Sequence, residues 1–422
     1  MLVLMGASIF FFSKESVDFV AVSILAAVLT GVLVSRYFGL GLAEIVGFVE
    51  FEPLMYIFGM SVVAFVAEKE RIFQVLAVLL IKATRGNERQ LFWVTCVVST
   101  ISAAFIADVT VSIIFVPIII RTCKILKIKA GTYLMGMTVC INLGSLITPF
   151  SSGENILIVS HFDLDLAFFA RNTWGLFAVM LVATLGLLDL LFLSKEERGP
   201  LENKLLLLEI LNPSLVITNR RSFYKNSAIL AATFVAILFV EAAFLVVLAG
   251  AMLFVLLNEK YRFKEVFKSI EWEILFFLAC LFVMIGALTS LGLMEFLGEI
   301  VLKLVANNYV GAILLVLLLS SVLSAFLANT PTTLVFLPIV STIAGAFPQS
   351  PVPLYLALLI GVNLGGNFIP QGAACDMMTL QLAKEAGVED MNYRRLLKQG
   401  AAFALLHLGI AAAYLLLFAH LG

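Results

Sequence analysis

Four short polar clusters interrupt otherwise apolar sequence, at 107–110, 148–155, 329–333 and 366–372. The first contains Asp108, the second contains Glu154, and Asp376 follows the fourth. An ionisable group inside apolar sequence is costly, so it is by default a functional candidate. The pattern predicts that these three acids carry protons or face a bound cation, and a structural hydrogen-bonding role is the alternative.

The other polar residues of these clusters predict a substrate site built from neutral hydrogen-bonding groups. Pro149, Pro370 and the glycines beside them break the helical ladder and free backbone carbonyls for coordination. The clusters contain no Lys or Arg, which suits a neutral substrate, a cation or a proton-coupled anion better than a large multivalent anion. The predicted substrate-binding residues are Thr110, Asn142, Ser151, Ser152, Asn155, Asn329, Thr330, Thr332, Asn363, Asn367 and Gln371.

The composition indicates that lipid is the main solvent of this chain. Of its 422 residues, 62% are hydrophobic and only 13% are charged, whereas a soluble domain is about half apolar and about a quarter charged. This balance excludes a soluble enzyme, a nucleic-acid binder and a disordered scaffold. We therefore expect a multi-pass protein of the cell membrane, with the lipid bilayer and a small ion as its partners.

Cysteine, histidine and phosphate-loop patterns give no sign of a cofactor or a metal site. The five cysteines are scattered singly through apolar stretches, which predicts buried free thiols, and the three histidines lack metal-ligand spacing. No Walker-type phosphate loop occurs in the sequence. The first dozen residues lack the features of a removed signal peptide, so we expect them to begin a first membrane segment.

Apolar segments long enough to span a bilayer recur along the chain. Two stretches are interrupted near their middles, 90–120 and 308–345, and these predict re-entrant hairpins. Segments 70–84 and 292–305 predict short helices near the membrane surface, and the polar stretch 194–225 predicts an exposed linker. The candidate spans are 2–13, 17–35, 51–68, 130–158, 166–193, 226–240, 241–257, 271–290, 352–372 and 398–420.

Three separate matches at one interval indicate an internal duplication. Residues 104–118 align with 325–339, residues 142–149 with 363–370, and Glu50-x-Glu52 with Glu271-x-Glu273, each 221 residues apart. The sequence thus predicts an all-α integral membrane protein with two inverted repeats of five transmembrane helices each, and with one re-entrant hairpin and one broken helix per repeat. The predicted domains are repeat 1 (1–193), a cytoplasmic linker (194–225) and the inverted repeat 2 (226–422).

The distribution of basic residues supports this topology. With the linker placed in the cytoplasm, all but Arg36, Arg171 and Lys303 of the 27 Lys and Arg residues fall in cytoplasmic segments, as the positive-inside rule requires. Both termini are then predicted to lie outside. The first hairpin would enter from the cytoplasm and the second from the outside.

The motifs resemble those of the ion transporter superfamily, which includes arsenite permeases, sodium/proton antiporters of the NhaD kind, citrate transporters and divalent anion:sodium symporters. Asn363-Leu364-Gly365-Gly366 through Pro370 looks like the second-repeat signature of the arsenite and NhaD branches. Asn329-Thr330-Pro331 resembles the hairpin tip that contacts sodium or substrate in the symporters. The first hairpin tip and the 151–155 segment depart from the family pattern, and only Asn155 matches there. Because acids, Asp108 and Glu154, stand in these departing segments, the sequence favours proton exchange.

The leading hypothesis is a secondary active transporter that moves an arsenite-like oxyacid, a carboxylate or another small ion, coupled to H⁺ or Na⁺, by alternating access. A sodium/proton antiporter is the alternative. A membrane-embedded aspartyl protease fits less well, because its chemistry needs two facing carboxylates, usually in a motif such as G-x-G-D that the sequence lacks, and because it leaves the duplication unexplained. A passive channel also fits less well with two repeats that each contain a broken helix. The residues leave the oligomeric state open, although homodimers are common among the proteins that this chain resembles.

Overall fold

The computed structural model describes residues 1–12, 18–196, 198–200, 202–204, 216–237, 240, 243–258 and 263–421. Every regular element in these ranges is a helix, so the prediction of an all-α protein is confirmed. Part of the predicted linker, including 205–215, lies outside the described residues, as do Lys14 and other basic residues that supported the topology.

The described part of the first half contains eleven α-helices. The short helix Leu42–Gly47 was not predicted, and the predicted span 166–193 is divided into two helices. The bounds are Leu2–Phe12, Phe19–Phe38, Leu42–Gly47, Phe51–Lys69, Ile72–Ala83, Glu88–Ala103, Asp108–Leu126, Gly131–Ile141, Gly153–Phe162, Leu166–Asn172 and Trp174–Leu191.

The described part of the second half repeats this order closely. Several helices begin 221 residues after their counterparts: Trp272 follows Phe51, Leu293 follows Ile72 and Asn329 follows Asp108. The caps recur too, since Asn87 accepts from the Gln90 amide and Asn308 from the Gly311 amide. The bounds are Arg220–Ile237, Ala243–Leu256, Phe263–Ser269, Trp272–Ser290, Leu293–Leu304, Tyr309–Leu327, Asn329–Gly345, Val352–Gly365, Ala374–Glu385 and Tyr393–Leu421.

Two helix pairs form hairpins. The first hairpin consists of Glu88–Ala103 and Asp108–Leu126, and the second of Tyr309–Leu327 and Asn329–Gly345. The arms Asp108–Leu126 and Tyr309–Leu327 each have 19 residues and are among seven helices in the described ranges that are long and apolar enough to cross a membrane. The interrupted sequence predicts half-stretches too short to cross, but by length and composition these two arms could cross.

Two predicted spans are broken in the middle. The first broken helix comprises Gly131–Ile141 and Gly153–Phe162, and the second comprises Val352–Gly365 and Ala374–Glu385, with 3-10 turns inside each gap. Pro149 and Pro370 lie in these gaps. Because proline supplies no backbone N–H, each proline removes a helical hydrogen bond at its gap.

Each broken helix packs closely against the first arm of its own hairpin at a glycine. A Cβ added to Gly144 would lie 2.6 Å from the Thr100 carbonyl oxygen, and a Cβ on Gly365 would lie 2.3 Å from the Ser321 carbonyl oxygen. The two contacts are equivalent in the duplication, because Gly365 and Ser321 lie 221 residues after Gly144 and Thr100. A side chain at either position would push the broken helix away from its hairpin.

The two broken helices run in opposite directions. The first begins where the Gly131 amide donates to Asp390, beyond the end of the second. At the other face, the ring of Phe162, at the end of the first broken helix, stacks on Tyr355 near the start of the second, with ring centroids 3.9 Å apart. The face that holds Gly131 and Asp390 also carries Lys124, Glu196 and Arg395. We call it the basic face, and it is the face predicted to be cytoplasmic.

Candidate functional site

A central cavity of about 390 Å³ lies where the two hairpin tips meet the interrupted parts of the broken helices. None of the described residues that line it is Lys or Arg. Eight of the predicted site residues line this cavity: Asp108, Thr110, Asn142, Ser151, Ser152, Glu154, Asn329 and Thr330. The structure therefore brings together residues from both halves of the sequence at one place.

Glu154 joins the first broken helix to the tip of the second hairpin. The Asn329 amide donates to one carboxylate oxygen at 3.0 Å, and the Thr330 hydroxyl donates to the other at 3.4 Å. Only 6% of Glu154 is exposed. Both carboxylate oxygens thus have partners supplied by the other half of the chain.

Asn155 and Asn363 support this contact from behind the cavity wall. The Asn363 amide donates to the Asn155 side-chain oxygen at 2.7 Å. The Asn155 amide donates in turn to the backbone oxygens of Ser145 and Thr148, at 2.6 and 3.0 Å. These bonds satisfy carbonyls that the interrupted helix leaves without helical partners. Asn155 and Asn363 hold the shape of the gap and do not line the central cavity.

The other side of the cavity carries Asp108 at the tip of the first hairpin. Its Oδ1 atom is buried and has no hydrogen-bond partner within the described structure. The neighbouring helix Ala374–Glu385 carries Cys375 in its first turn, and the Cys375 thiol donates to the Asn142 side-chain oxygen at 3.4 Å. This side of the cavity therefore offers an unpaired carboxylate oxygen, which the Glu154 side does not.

Asp376 and Asn367 lie just behind this second side. The Thr138 hydroxyl donates to Asp376 at 2.7 Å, and the Asn142 amide donates to Asn367 at 2.5 Å. Both Asp376 and Asn367 are 2% exposed. Each of these two hydrogen bonds joins the first broken helix to the second. Together they form a buried polar contact between the two halves of the chain.

All three acids occupy the first turn of a helix. Asp108 begins an arm of the first hairpin, while Glu154 and Asp376 begin the second segments of the two broken helices. The positive end of the helix dipole stabilises a carboxylate at this position. This explains how three acids are accommodated at the centre of an apolar protein without a lysine or arginine partner among the cavity-lining residues.

Two predicted substrate-binding residues lie away from the cavity. Thr332 donates to the Ala328 carbonyl of its own helix turn. Gln371 is exposed and accepts from the Tyr393 hydroxyl at 2.9 Å. It lines a cleft of about 1540 Å³, also lined by Asp18, Glu273 and Lys384. We call this cleft the vestibule.

The vestibule and the central cavity share Val109 and Ala374 in their walls. Because residues 384–393 at the basic face also line the vestibule, the cavity is bordered on that side by open space. In the described ranges, no three His, Cys, Asp or Glu residues are grouped as metal ligands would be.

Sequence reasoning missed Cys375 and Thr138. Cys375 was treated as an ordinary buried thiol, yet it lies 221 residues after Glu154, at the equivalent place in the duplication. Aligning the two halves residue by residue would have identified it. Thr138 has no such signal, because its counterpart is Leu359. Its role comes from packing between the halves.

The cavity, the broken helices and the apolar spans together define a multi-pass membrane transporter. The profile of the CitMHS family, described as citrate transporter, matches residues 7–361. The chain therefore belongs to the CitMHS citrate transporter family, and it is not an enzyme. The predicted membership of the wider ion transporter superfamily is confirmed.

Individual relatives agree with this assignment. The chain is 26% identical over 375 residues to an uncharacterised transporter of Mycobacterium bovis, covering 87% of this chain and 86% of that protein. It is 25% identical to the P protein of Mus musculus, covering 89% of this chain but 55% of that longer protein. The crystal structure of the YdaH transporter from Alcanivorax borkumensis matches with a TM-score of 0.58 at 14% identity, covering 88% of this chain and 86% of that one.

Proposed function

We propose that this protein is a secondary active transporter that moves a small ion through the central cavity by alternating access, driven by a gradient of H⁺ or Na⁺. The observation that carries the proposal is the meeting of two hairpin tips and two broken helices around one cavity, whose described lining residues include carboxylates but neither Lys nor Arg. Unwound helix segments at such a site supply the carbonyls and helix ends that bind small ions in secondary transporters.

The three acids are proposed to couple transport to the ion gradient. Asp108 lines the cavity and has one buried carboxylate oxygen without a hydrogen-bond partner among the described residues, which favours it as the group that accepts a proton or contacts a cation. Glu154 is bonded to both Asn329 and Thr330, so protonation or cation binding there would change the contact between the two halves. Asp376 lies behind the wall and would act through its bond with Thr138.

The proposed cargo is a small inorganic or organic anion, with carboxylates favoured by the description of the family as citrate transporters. The helix that starts at Asn329 has no acid in its first turn. Its N-terminus lines the cavity and already holds the Glu154 carboxylate through Asn329 and Thr330, so an anionic cargo would bind there when Glu154 is protonated. The polar groups of Asn329, Thr330 and Ser152 would orient the cargo there.

A sodium/proton antiporter is the second candidate. It is favoured by one observation, the presence of two acids and no Lys or Arg among the residues of the cavity that belong to the hairpin tips and broken helices. In that case Na⁺ itself would bind between Asp108 and Glu154, and protons would compete for the same carboxylates.

Transport in proteoliposomes of the full chain tests both candidates. Citrate, succinate, phosphate, arsenite and Na⁺ would be offered in turn under an imposed pH gradient and then under a sodium gradient. The proposal expects uptake of one cargo that depends on one gradient, accompanied by movement of the coupling ion. Flux that ignores both gradients would indicate a channel and would overturn the proposal.

A further inference from the structure

A third space, smaller than the vestibule, lies on the face opposite the basic face. It has a volume of about 430 Å³ and its lining includes Glu52, Tyr56, Phe150, Ser160 and Asp163. We call it the outer pocket. It lies beside the second segment of the first broken helix, whereas the vestibule lies beside the second segment of the second broken helix.

The outer pocket is the repeat counterpart of the vestibule. Ten of its sixteen lining residues have a residue 221 positions away that lines the vestibule. Glu52 corresponds in this way to Glu273, and Ile156 to Met377. An agreement of this extent shows that the same surfaces of the two halves form both spaces. The two spaces differ in size, at about 430 and 1540 Å³.

Phe150 lies between the outer pocket and the central cavity. Phe150 and Ile156 line both spaces. The Phe150 side chain is 5% exposed and is enclosed by other aromatic rings. Its ring stacks with Tyr56 and Phe234, with centroids 6.4 and 6.0 Å apart, and its centroid lies 6.4 Å from that of Phe105. A packed aromatic group thus separates the central cavity from the outer pocket.

The equivalent position on the vestibule side is open. The counterpart of Phe150 is Gln371, which is exposed in the vestibule and bonded to Tyr393. There the residues shared with the central cavity are Val109 and Ala374, both smaller than Phe150 and Ile156. Phe150 and Gln371 are thus one equivalent pair of positions at which the two sides differ in size and burial.

From this we propose that the outer pocket is the mouth of the transport path on the face opposite the basic face, and that Phe150 is the residue that closes it. This inference rests on the proposed function, since a closed mouth has a purpose only in a transporter. The structure is then a conformation open toward the basic face. In the opposite conformation the Phe150 ring leaves its aromatic neighbours and the outer pocket joins the cavity.

Labelling of a cysteine in the cavity tests the proposal without any cargo. Ser61 lines the central cavity, so Ser61→Cys would be treated with a membrane-impermeant thiol reagent in sealed vesicles of both orientations. The parent chain without Ser61→Cys gives the background from the five native cysteines. Adding Phe150→Ala should raise labelling from the outer-pocket face at least about 10-fold, as expected from the loss of two stacked aromatic pairs. The rate from the basic face should stay the same.

Two further variants keep this test decisive. Phe150→Gln introduces the residue found at the vestibule counterpart and should also raise labelling from the outer-pocket face. Phe162→Ala removes a nearby ring that stacks on Tyr355 and lines neither space, so it should leave both rates unchanged. The proposal is overturned if both Phe150 variants label normally from the basic face but show no increase from the other face. Absence of gradient-driven flux would contradict the proposed function and would leave this labelling result readable.

Discussion

The two sides of the central cavity are built from equivalent segments but carry different chemistry. Asp108 at the first hairpin tip corresponds to Asn329 at the second, and Glu154 in the first broken helix corresponds to Cys375 in the second. Asn329 binds Glu154, which gives one side a carboxylate with both oxygens satisfied. The other side has Asp108, which has one unpaired carboxylate oxygen, and the Cys375 thiol at the position that matches Glu154.

At the hairpin tips and broken helices, the two halves therefore share geometry but not charge. The pair Asn142 and Asn363 is kept in both halves, and each asparagine bonds across to the other broken helix. By contrast, Asp108, Glu154 and Asp376 have no acid at the matching position of the other half. A symmetrical scaffold can thus hold two unlike half-sites, one suited to joining the halves and one suited to exchanging an ion.

The largest effect on flux is expected from substituting Glu154, compared with a substitution of its counterpart Cys375. Glu154→Gln should lower gradient-driven flux about 10- to 150-fold, the factor that corresponds to losing a charged hydrogen bond of about 1.5–3 kcal/mol. Cys375→Ala, at the equivalent position, should change flux less than about 3-fold because a thiol is only a weak donor. Equal losses in the two variants, measured in proteoliposomes, would contradict the division of roles.

The next effect concerns the glycines at which each broken helix meets its hairpin. Gly365→Ala and Gly144→Ala should each lower stability by about 1–3 kcal/mol, because the added methyl group meets backbone at 2.3 and 2.6 Å. Gly186→Ala is the matched control, since nothing lies within 4 Å of its Cβ, and it should raise stability by up to about 1 kcal/mol. Thermal unfolding in detergent measures all three, and an unchanged Tm for Gly365→Ala would show that the helix and hairpin are not in close contact.

A smaller effect distinguishes the two hairpin tips. Ala328 has a φ of +66°, whereas its counterpart Ala107 has a φ of −53°. Ala328→Gly should therefore raise the Tm by relieving about 1 kcal/mol of backbone strain, and Ala107→Gly should lower it slightly through added chain entropy. The same sign of change in both variants would mean that the tips do not differ in strain.

The smallest effect is a pH dependence of stability that arises from Glu196 at the basic face. Burial raises the pKa of Glu196, although the Thr132 hydroxyl bonded to it and nearby Arg395 act in the opposite direction. The folded state therefore holds the proton more tightly than the unfolded state, so Glu196 lowers stability as the pH rises above its unfolded pKa, and the full cost is present above its raised pKa.

Glu196→Gln should remove this cost, by less than about 0.5 kcal/mol because the side chain is only half buried. Its Tm advantage over the parent chain should grow as the pH rises from below 4.5 to 8. An advantage that shrinks with rising pH would show that the attraction to Arg395 outweighs the effect of burial.

Composition and the 221-residue interval allowed the sequence to predict the membrane fold, both hairpins as helix pairs and both broken helices. These features depend on local patterns such as Pro149 and Pro370 inside apolar stretches. The sequence could not predict the bonds between the halves, such as Thr138 with Asp376, because these depend on how distant helices pack. For the same reason Gln371 was placed in the substrate site, although it lies in the vestibule, and Phe150 was overlooked.

The most direct test of this division of roles is the movement of protons and cargo in proteoliposomes that contain Asp108→Asn, compared with Glu295→Gln. Glu295 is an exposed acid in the first turn of the helix Leu293–Leu304 and lines neither the central cavity, the vestibule nor the outer pocket, so it serves as the control. We predict that Asp108→Asn abolishes the response of cargo flux to the driving gradient, while Glu295→Gln keeps it. Gradient-driven flux that persists in Asp108→Asn would contradict the assignment of the unpaired carboxylate as the coupling group.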